Sequence, residues 1–197
     1  MGDAARTLSV DHAAYLALEA ASPERHEWYD GAIYAMAGGT IVHGELSTAV
    51  LVELSGLARA CGCRVTNSDV RVRVLATGLA TYPDAAVGCG ERETDPADRN
   101  ALANPAVLVE VLSDGTEAYD RGEKFAHYRQ IPSLRDFVLV SQHEPRIEVY
   151  SREGDHWVLR VAEAGQHAPL TALTGALSVD RVYDGVTLEP RPVRATL

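Results

Sequence analysis

The feature that most constrains this chain is the run Val107-Leu108-Val109-Glu110-Val111-Leu112, an apolar stretch with one carboxylate in its middle. A run of that length without alternation reads as a strand covered on both faces. A charge inside such a strand is costly unless it is paired or binds a cation. Tyr82-Pro83-Asp84 supplies a second carboxylate at the end of another short strand. Two carboxylates on neighbouring strands make a site for a hard divalent cation such as Mg²⁺. Other readings stay open from the residues alone. Asp84 suits a turn, and Glu110 suits a structural ion pair.

The remaining pattern surrounds these strands with helices and hairpins. Ser9 to Ala21 predicts a helix capped by Ser9 and ended by Ser22-Pro23. Glu27 to Ala37 predicts a hairpin with Asp30-Gly31 as its two-residue turn. Val42 to Ala60 is the clearest helix, with Leu46, Ala49, Val50, Leu54 and Leu57 at helical spacing. Gly62 suits its end. Val65 to Leu75 alternates as one strand, with Arg71 and Arg73 on one side, either solvated or facing a phosphate. Thr81 to Val87 reads as a short strand, Gly88 to Ala103 as a loop, and Ala106 to Leu112 as a buried strand.

Thr116 is a candidate cap for a helix over Tyr119 to Gln130, stopped by Pro132. Asp136 to Val140 is a second buried strand. Arg146 to Tyr150 and His156 to Val161 form a hairpin, with Ile147 and Val149 sharing a face on one strand and Trp157, Leu159 and Val161 sharing one on the other. Leu177 to Val179 and Val182 to Val186 read as short extended pieces. The expected fold is α+β or α/β: a mixed sheet flanked by helices, with additional hairpins, in a single domain over 1–197.

Composition narrows the class. With 197 residues, 46% hydrophobic and 23% charged, the chain has the make-up of a soluble globular protein. No apolar stretch reads as long enough to cross a membrane. The N-terminus lacks the layout of a secretion signal, and three cysteines, Cys61, Cys63 and Cys89, fit a reducing cytoplasm. Cys61-Gly62-Cys63 is the one close pair, without a second thiol or histidine cluster nearby for zinc. The formal net charge of −10 denies the whole molecule a long-range attraction to nucleic acid.

Lys124 follows Glu110 by 124 − 110 = 14 residues, enough chain to leave the strand, turn and return an ammonium to its end. Asp120, Lys124 and Tyr128 are spaced by four and share a helix face. An exposed Asp-Lys pair fits the same spacing.

Together these residues resemble the PD-(D/E)XK nuclease superfamily, and within it the bacterial restriction-endonuclease family of the Uma type. The resemblance covers roughly Ser9 to Val161. It rests on His26-Glu27-Trp28-Tyr29-Asp30-Gly31, Gly38-Gly39-Thr40 with His43, Tyr82-Pro83-Asp84, Val109-Glu110-Val111-Leu112-Ser113, and Tyr119-Asp120-Arg121-Gly122-Glu123-Lys124 with Tyr128. It implies that Asp84, Glu110 and the Val111 carbonyl hold Mg²⁺ or Mn²⁺. It also implies that Lys124 serves as the catalytic lysine, since Leu112 stands where the parent motif has lysine. Glu27 and His43 match further family positions, and Asp120 is placed to position Lys124. The implied activity is metal-dependent hydrolysis of DNA. From the residues themselves, the hydrophobic 146–161 hairpin suits extension of a sheet across a two-fold axis, so a homodimer in the cytoplasm is expected. A catalytically silent binding or assembly module of the same fold, and a nuclease for RNA or small nucleotides, are the competing readings.

Overall fold

The computed structural model describes residues 9–36, 38–188 and 190. Helix α1 (His12–Ala21) starts two residues later than a Ser9 cap predicts: Asp11 is its cap and accepts the Ala14 N–H at 2.8 Å. Strands β1 (His26–Tyr29) and β2 (Ala32–Ala35) pair antiparallel across Asp30 (φ 47°) and Gly31 (φ 82°). Two successive left-handed residues match the twist of the flanking strands, which is why Asp-Gly closes this hairpin. The predicted end of the hairpin, Ala37, lies outside the described residues.

Helix α2 (Ile41–Ala60) is capped by Thr40, whose hydroxyl accepts the His43 N–H at 3.1 Å. Its buried stripe is Val42, Leu46, Val50, Leu54 and Ala58, every fourth residue. Gly62, at φ 69°, turns the chain out of the helix. By length and composition α2 is apolar enough to span a membrane, contrary to the sequence expectation. That stripe packs into the core of the second sheet, so the hydrophobicity serves the fold.

Beyond α2 the chain changes sheets repeatedly. Strands β3 (Arg64–Asn67) and β4 (Arg71–Arg73) are separate, not one strand over Val65 to Leu75. The turn between them is set by Asn67, whose side chain accepts the Asp69 N–H and whose carbonyl accepts that of Val70. Strands β5 (Ala80–Thr81) and β6 (Ala85–Gly88) are likewise split at Pro83-Asp84. Strands β7 (Thr94–Asp95) and β8 (Asp98–Leu102) occupy the segment expected to be loop. Then follow β9 (Pro105–Val111), β10 (Asp136–Val140), β11 (Arg146–Glu153), β12 (His156–Glu163), β13 (His167–Pro169) and β14 (Ala176–Ser178). Strand β14 covers most of the extended piece expected over Leu177 to Val179, and a short helix, Val179–Val182, joins it to the second expected piece.

The expected single mixed sheet is two. One has the order β2-β1-β5-β4-β8-β7, the other β12-β11-β10-β9-β6-β3; β13 and β14 pair apart. Strands β9 and β10 are parallel, joined through a helical segment over 117–128. In the second sheet Val107, Val109, Val111, Val138 and Val140 face α2 and the C-terminal helix. Leu108, Leu112, Phe137 and Leu139 face the other way, onto Tyr128, Ile131 and Leu134, onto Val72 of the first sheet and onto Leu79 just before β5. Each such buried side chain contributes about 2 kcal/mol. In the hairpin, Ile147 and Val149 lie over Ala162 and Arg160, so they occupy the face opposite to Trp157, Leu159 and Val161.

Two expectations about polar residues are corrected. Arg71 and Arg73 are neither a solvated face nor directed to a phosphate. Arg71 is buried against Asp98 (2.6 Å), Glu19 (3.2 Å) and the Tyr82 hydroxyl (2.8 Å), and Arg73 pairs with Asp95 at 2.9 Å. Cys63 and Cys89 form a disulfide just beyond the β3–β6 pair Arg64 and Gly88, while Cys61 is free and exposed.

Candidate active site

Alternation along β9 places Glu110 with Leu108 and Leu112, on the face covered by the helical segment. Glu110 is 5% exposed, so its charge must be met by protein groups. It is met twice on one oxygen: the Tyr128 hydroxyl donates to Oε1 at 2.7 Å and Lys124 Nζ lies 3.0 Å from it. Lys124 also lies 3.1 Å from Glu27 and 3.6 Å from Asp120, with the Tyr119 ring 6.0 Å away. Glu27 comes from β1 in the other sheet and accepts a hydrogen bond from the Thr81 hydroxyl. The site therefore joins both sheets.

The helical segment does this with an irregular turn. Residues Asp120–Lys124 are wound as a π-helix between α-helical Glu117–Tyr119 and Phe125–Tyr128. The wider turn buries Asp120 and Lys124 together while Arg121 reaches β11. There its guanidinium contacts both Glu148 oxygens, at 2.5 and 3.1 Å. Such π turns recur at functional sites.

Asp84 sits where the chain crosses from β5 to β6. The β6–β9 register pairs Ala85 with Val109, so one step further sets Asp84 opposite Glu110. Its Oδ2 accepts the Val111 N–H at 2.7 Å and lies 3.3 Å from His43 Nε2. Gly39 lets the ring sit there: a Cβ on residue 39 would lie 2.9 Å from His43 Nδ1. Gln142 ties the two elements together, accepting from Thr40 at 2.9 Å and donating to the Leu112 carbonyl at 2.7 Å.

The charges do not balance. Glu110, Glu27 and Asp120 surround one lysine, and Asp84 lies opposite Glu110. Burial lifts the Glu110 carboxyl well above the usual range; Lys124 opposes this, and Asp120 and Asp84 add to it. Burial also raises Asp120. Burial alone would depress Lys124, but Glu110, Tyr128, Glu27 and Asp120 outweigh it and hold the ammonium charged. Both directions follow from one fact, an excess of acid over base. The hydrogen bond to Asp84 raises His43 despite its burial.

All of the sequence candidates, Asp84, Glu110, Val111, Lys124, Glu27, His43 and Asp120, therefore fall in one connected site. Thr81, Tyr119 and Gln142 were missed. Tyr128 carried a signal, its four-residue spacing from Lys124; Gln142 carried none. Among the described residues no three His, Cys, Asp or Glu side chains converge as a ready-made metal cage. Mg²⁺ does not require one: it commonly takes one or two carboxylates and completes its shell with water and phosphate. The oxygen donors and the surplus of negative charge fit such an ion.

The architecture matches that of a crystal structure described as "a putative nuclease belonging to DUF820" from Anabaena variabilis. The TM-score is 0.66, with 16% identity, over 82% of this chain and 93% of that one. The sequence model of the Uma2 family, described as "Putative restriction endonuclease", matches residues 12–181. Two uncharacterized proteins of Synechocystis sp. are also similar. One, slr1290, is 35% identical over 176 residues, 87% of this chain and 90% of the relative. The other, sll1609, is 31% identical over 169 residues, 84% and 94%. The fold is thus shared with a nuclease-like protein. The chain belongs to the Uma2 family.

Proposed function

We propose that this protein is a metal-dependent endonuclease that hydrolyses DNA phosphodiester bonds. The observation that carries the reading is the cluster of Glu110, Glu27 and Asp120 around Lys124, beside Asp84 at the entry to the adjoining strand. Asp84 and Glu110, with the Val111 carbonyl, would hold Mg²⁺ or Mn²⁺. The contacts to Glu110 fall on Oε1 and those to Asp84 on Oδ2, so the ligand oxygens turned from them are Oε2 and Oδ1. A bound ion of this kind supplies a water of lowered pKa and offsets charge that develops on the phosphate.

The chain's own groups do the rest. Lys124, held charged, presents an ammonium to the attacking water or to a phosphate oxygen. Glu27 and Asp120 fix its direction, and Tyr128 fixes Glu110. His43 is a second donor beside Asp84. In this reading Lys124 takes the place of the motif lysine, because Leu112 is buried in the apolar core behind Glu110. The protein is further read as a homodimer in the cytoplasm, a location that the Cys63–Cys89 disulfide counts against. The outer strand of the second sheet, β12, leaves Leu159 and Val161 exposed and is the edge such a dimer would use. A monomer mass in light scattering would remove the dimer.

One observation favours a second reading, a catalytically silent module: three carboxylates already surround Lys124, as in a structural ion-pair cluster. The deciding experiment is cleavage of supercoiled and single-stranded DNA with Mg²⁺ or Mn²⁺, with wild type beside Asp84→Ala and Lys124→Ala. Activity lost in both variants supports the nuclease. Activity surviving in both points to contamination or a different site, and no activity from folded wild type supports the silent module or another substrate.

A further inference from the structure

A pocket of about 550 Å³ opens between the ends of β3 and β6 and the β7–β8 region. Its wall includes Arg64, Arg92 and Arg99, all exposed, with Asn100 and Asn104 between them. Among the described residues the Arg92 and Arg99 guanidinium groups have no hydrogen-bond or ion-pair partner. Arg64 donates only to the Cys63 carbonyl, at 3.2 Å. Of the two acids in the wall, Asp69 is already paired with Arg25. In a chain of net charge −10 this is a local reversal of sign.

Its position relates it to the candidate active site. Arg64 pairs with Gly88 and Asn67 with Ala85, so β3 runs from the pocket to the residue beside Asp84. Gly88 lies four residues from Asp84, about 13 Å along an extended strand. Strand alternation puts Arg64 and Thr66 on the face of the second sheet that carries Ala86 and Glu110. β3 is an edge strand, so nothing in its sheet lies outside it. An acidic centre that is to accept a polyanion needs cationic groups at a distance to hold the chain while the scissile phosphate meets the site.

We propose that the Arg64–Arg92–Arg99 pocket binds backbone phosphates of the nucleic-acid substrate, away from the bond that is cut. The inference rests on the endonuclease reading and adds to it where the rest of the substrate lies. Guanidinium groups suit phosphate because they donate in a bidentate fork and stay charged. The contacts carry no base information, so the pocket provides affinity without sequence preference.

The test is binding of a fluorescent oligonucleotide, single-stranded and duplex, measured by anisotropy in EDTA so that nothing is cleaved. Wild type is compared with Arg92→Ala/Arg99→Ala and with Arg59→Ala/Arg129→Ala, which removes the same charge elsewhere on the surface. The pocket variant should bind about tenfold more weakly, with a log Kd against log [salt] slope shallower by about 2 on duplex. The control pair should stay close to wild type. Equal effects of the two pairs, or no salt-dependent binding by wild type, would overturn the proposal. Unchanged melting temperatures exclude misfolding, since all four side chains are exposed. Pocket-dependent binding without cleavage would leave this site standing and sink the nuclease. Cleavage with pocket-independent binding would do the reverse.

Discussion

Lys124 Nζ meets Glu110 Oε1 at 3.0 Å, although fourteen residues of chain, a turn and a π-helical winding separate them. The pair is buried and shares its charge with Glu27 and Asp120. A lysine in that position counteracts three acids at once, so its removal affects both folding and chemistry.

Lys124→Ala is expected to reduce DNA cleavage by at least about 100-fold and to lower stability by about 3 kcal/mol, the usual cost of breaking a buried pair. Urea unfolding and a cleavage time course check the two effects separately. A variant as stable and as active as wild type would show that the cluster is peripheral.

The surplus of carboxylates predicts stabilisation by a divalent cation. Mn²⁺ at one hundred times its dissociation constant should add about 2.7 kcal/mol to wild type. Asp84→Asn should remove most of the accompanying rise in melting temperature. If wild type itself does not respond, Asp84 and Glu110 are not metal ligands.

Tyr128→Phe deletes the hydroxyl that donates to Glu110 at 2.7 Å. Glu110 then loses one of two partners in a buried setting, at a cost of about 2 kcal/mol. Chemical denaturation measures it; a change below about 0.5 kcal/mol would mean that the hydroxyl is not bonded to the carboxylate.

Glu148 gives a pH dependence. Burial alone would raise its carboxyl, but the Arg121 fork and the Arg146 charge outweigh burial and hold it below the ordinary glutamate range. A depressed folded-state value means that the stabilisation is complete above the ordinary range. It is lost as pH falls through the depressed value. Glu148→Gln should therefore cost about 2 kcal/mol at pH 7, with the gap to wild type closing in acid. A gap that stays constant between pH 7 and pH 3 would contradict the assignment. Because Arg121 lies in the π turn, the same substitution should also lower cleavage by loosening Lys124.

The features legible in the residues alone are local. The i, i+4 stripe of α2, the left-handed Asp30-Gly31 turn, the stop at Pro132 and the unbroken run around Glu110 are set by spacing and backbone preference, which act over a few residues. The isolated carboxylate in that run pointed to Asp84 and Lys124 because a buried charge demands a partner. Strand pairing, by contrast, was set by the assembled fold. Val65 to Leu75 alternates without a break, yet it divides between two sheets at Asn67, because pairing energy comes from non-local partners. The same assembly brought Glu27 across from the other sheet and buried Arg71 against Asp98 and Glu19. It also left Arg92 and Arg99 together on a surface whose charge the total of −10 conceals. Composition averages charge over the chain, whereas folding sorts it in space.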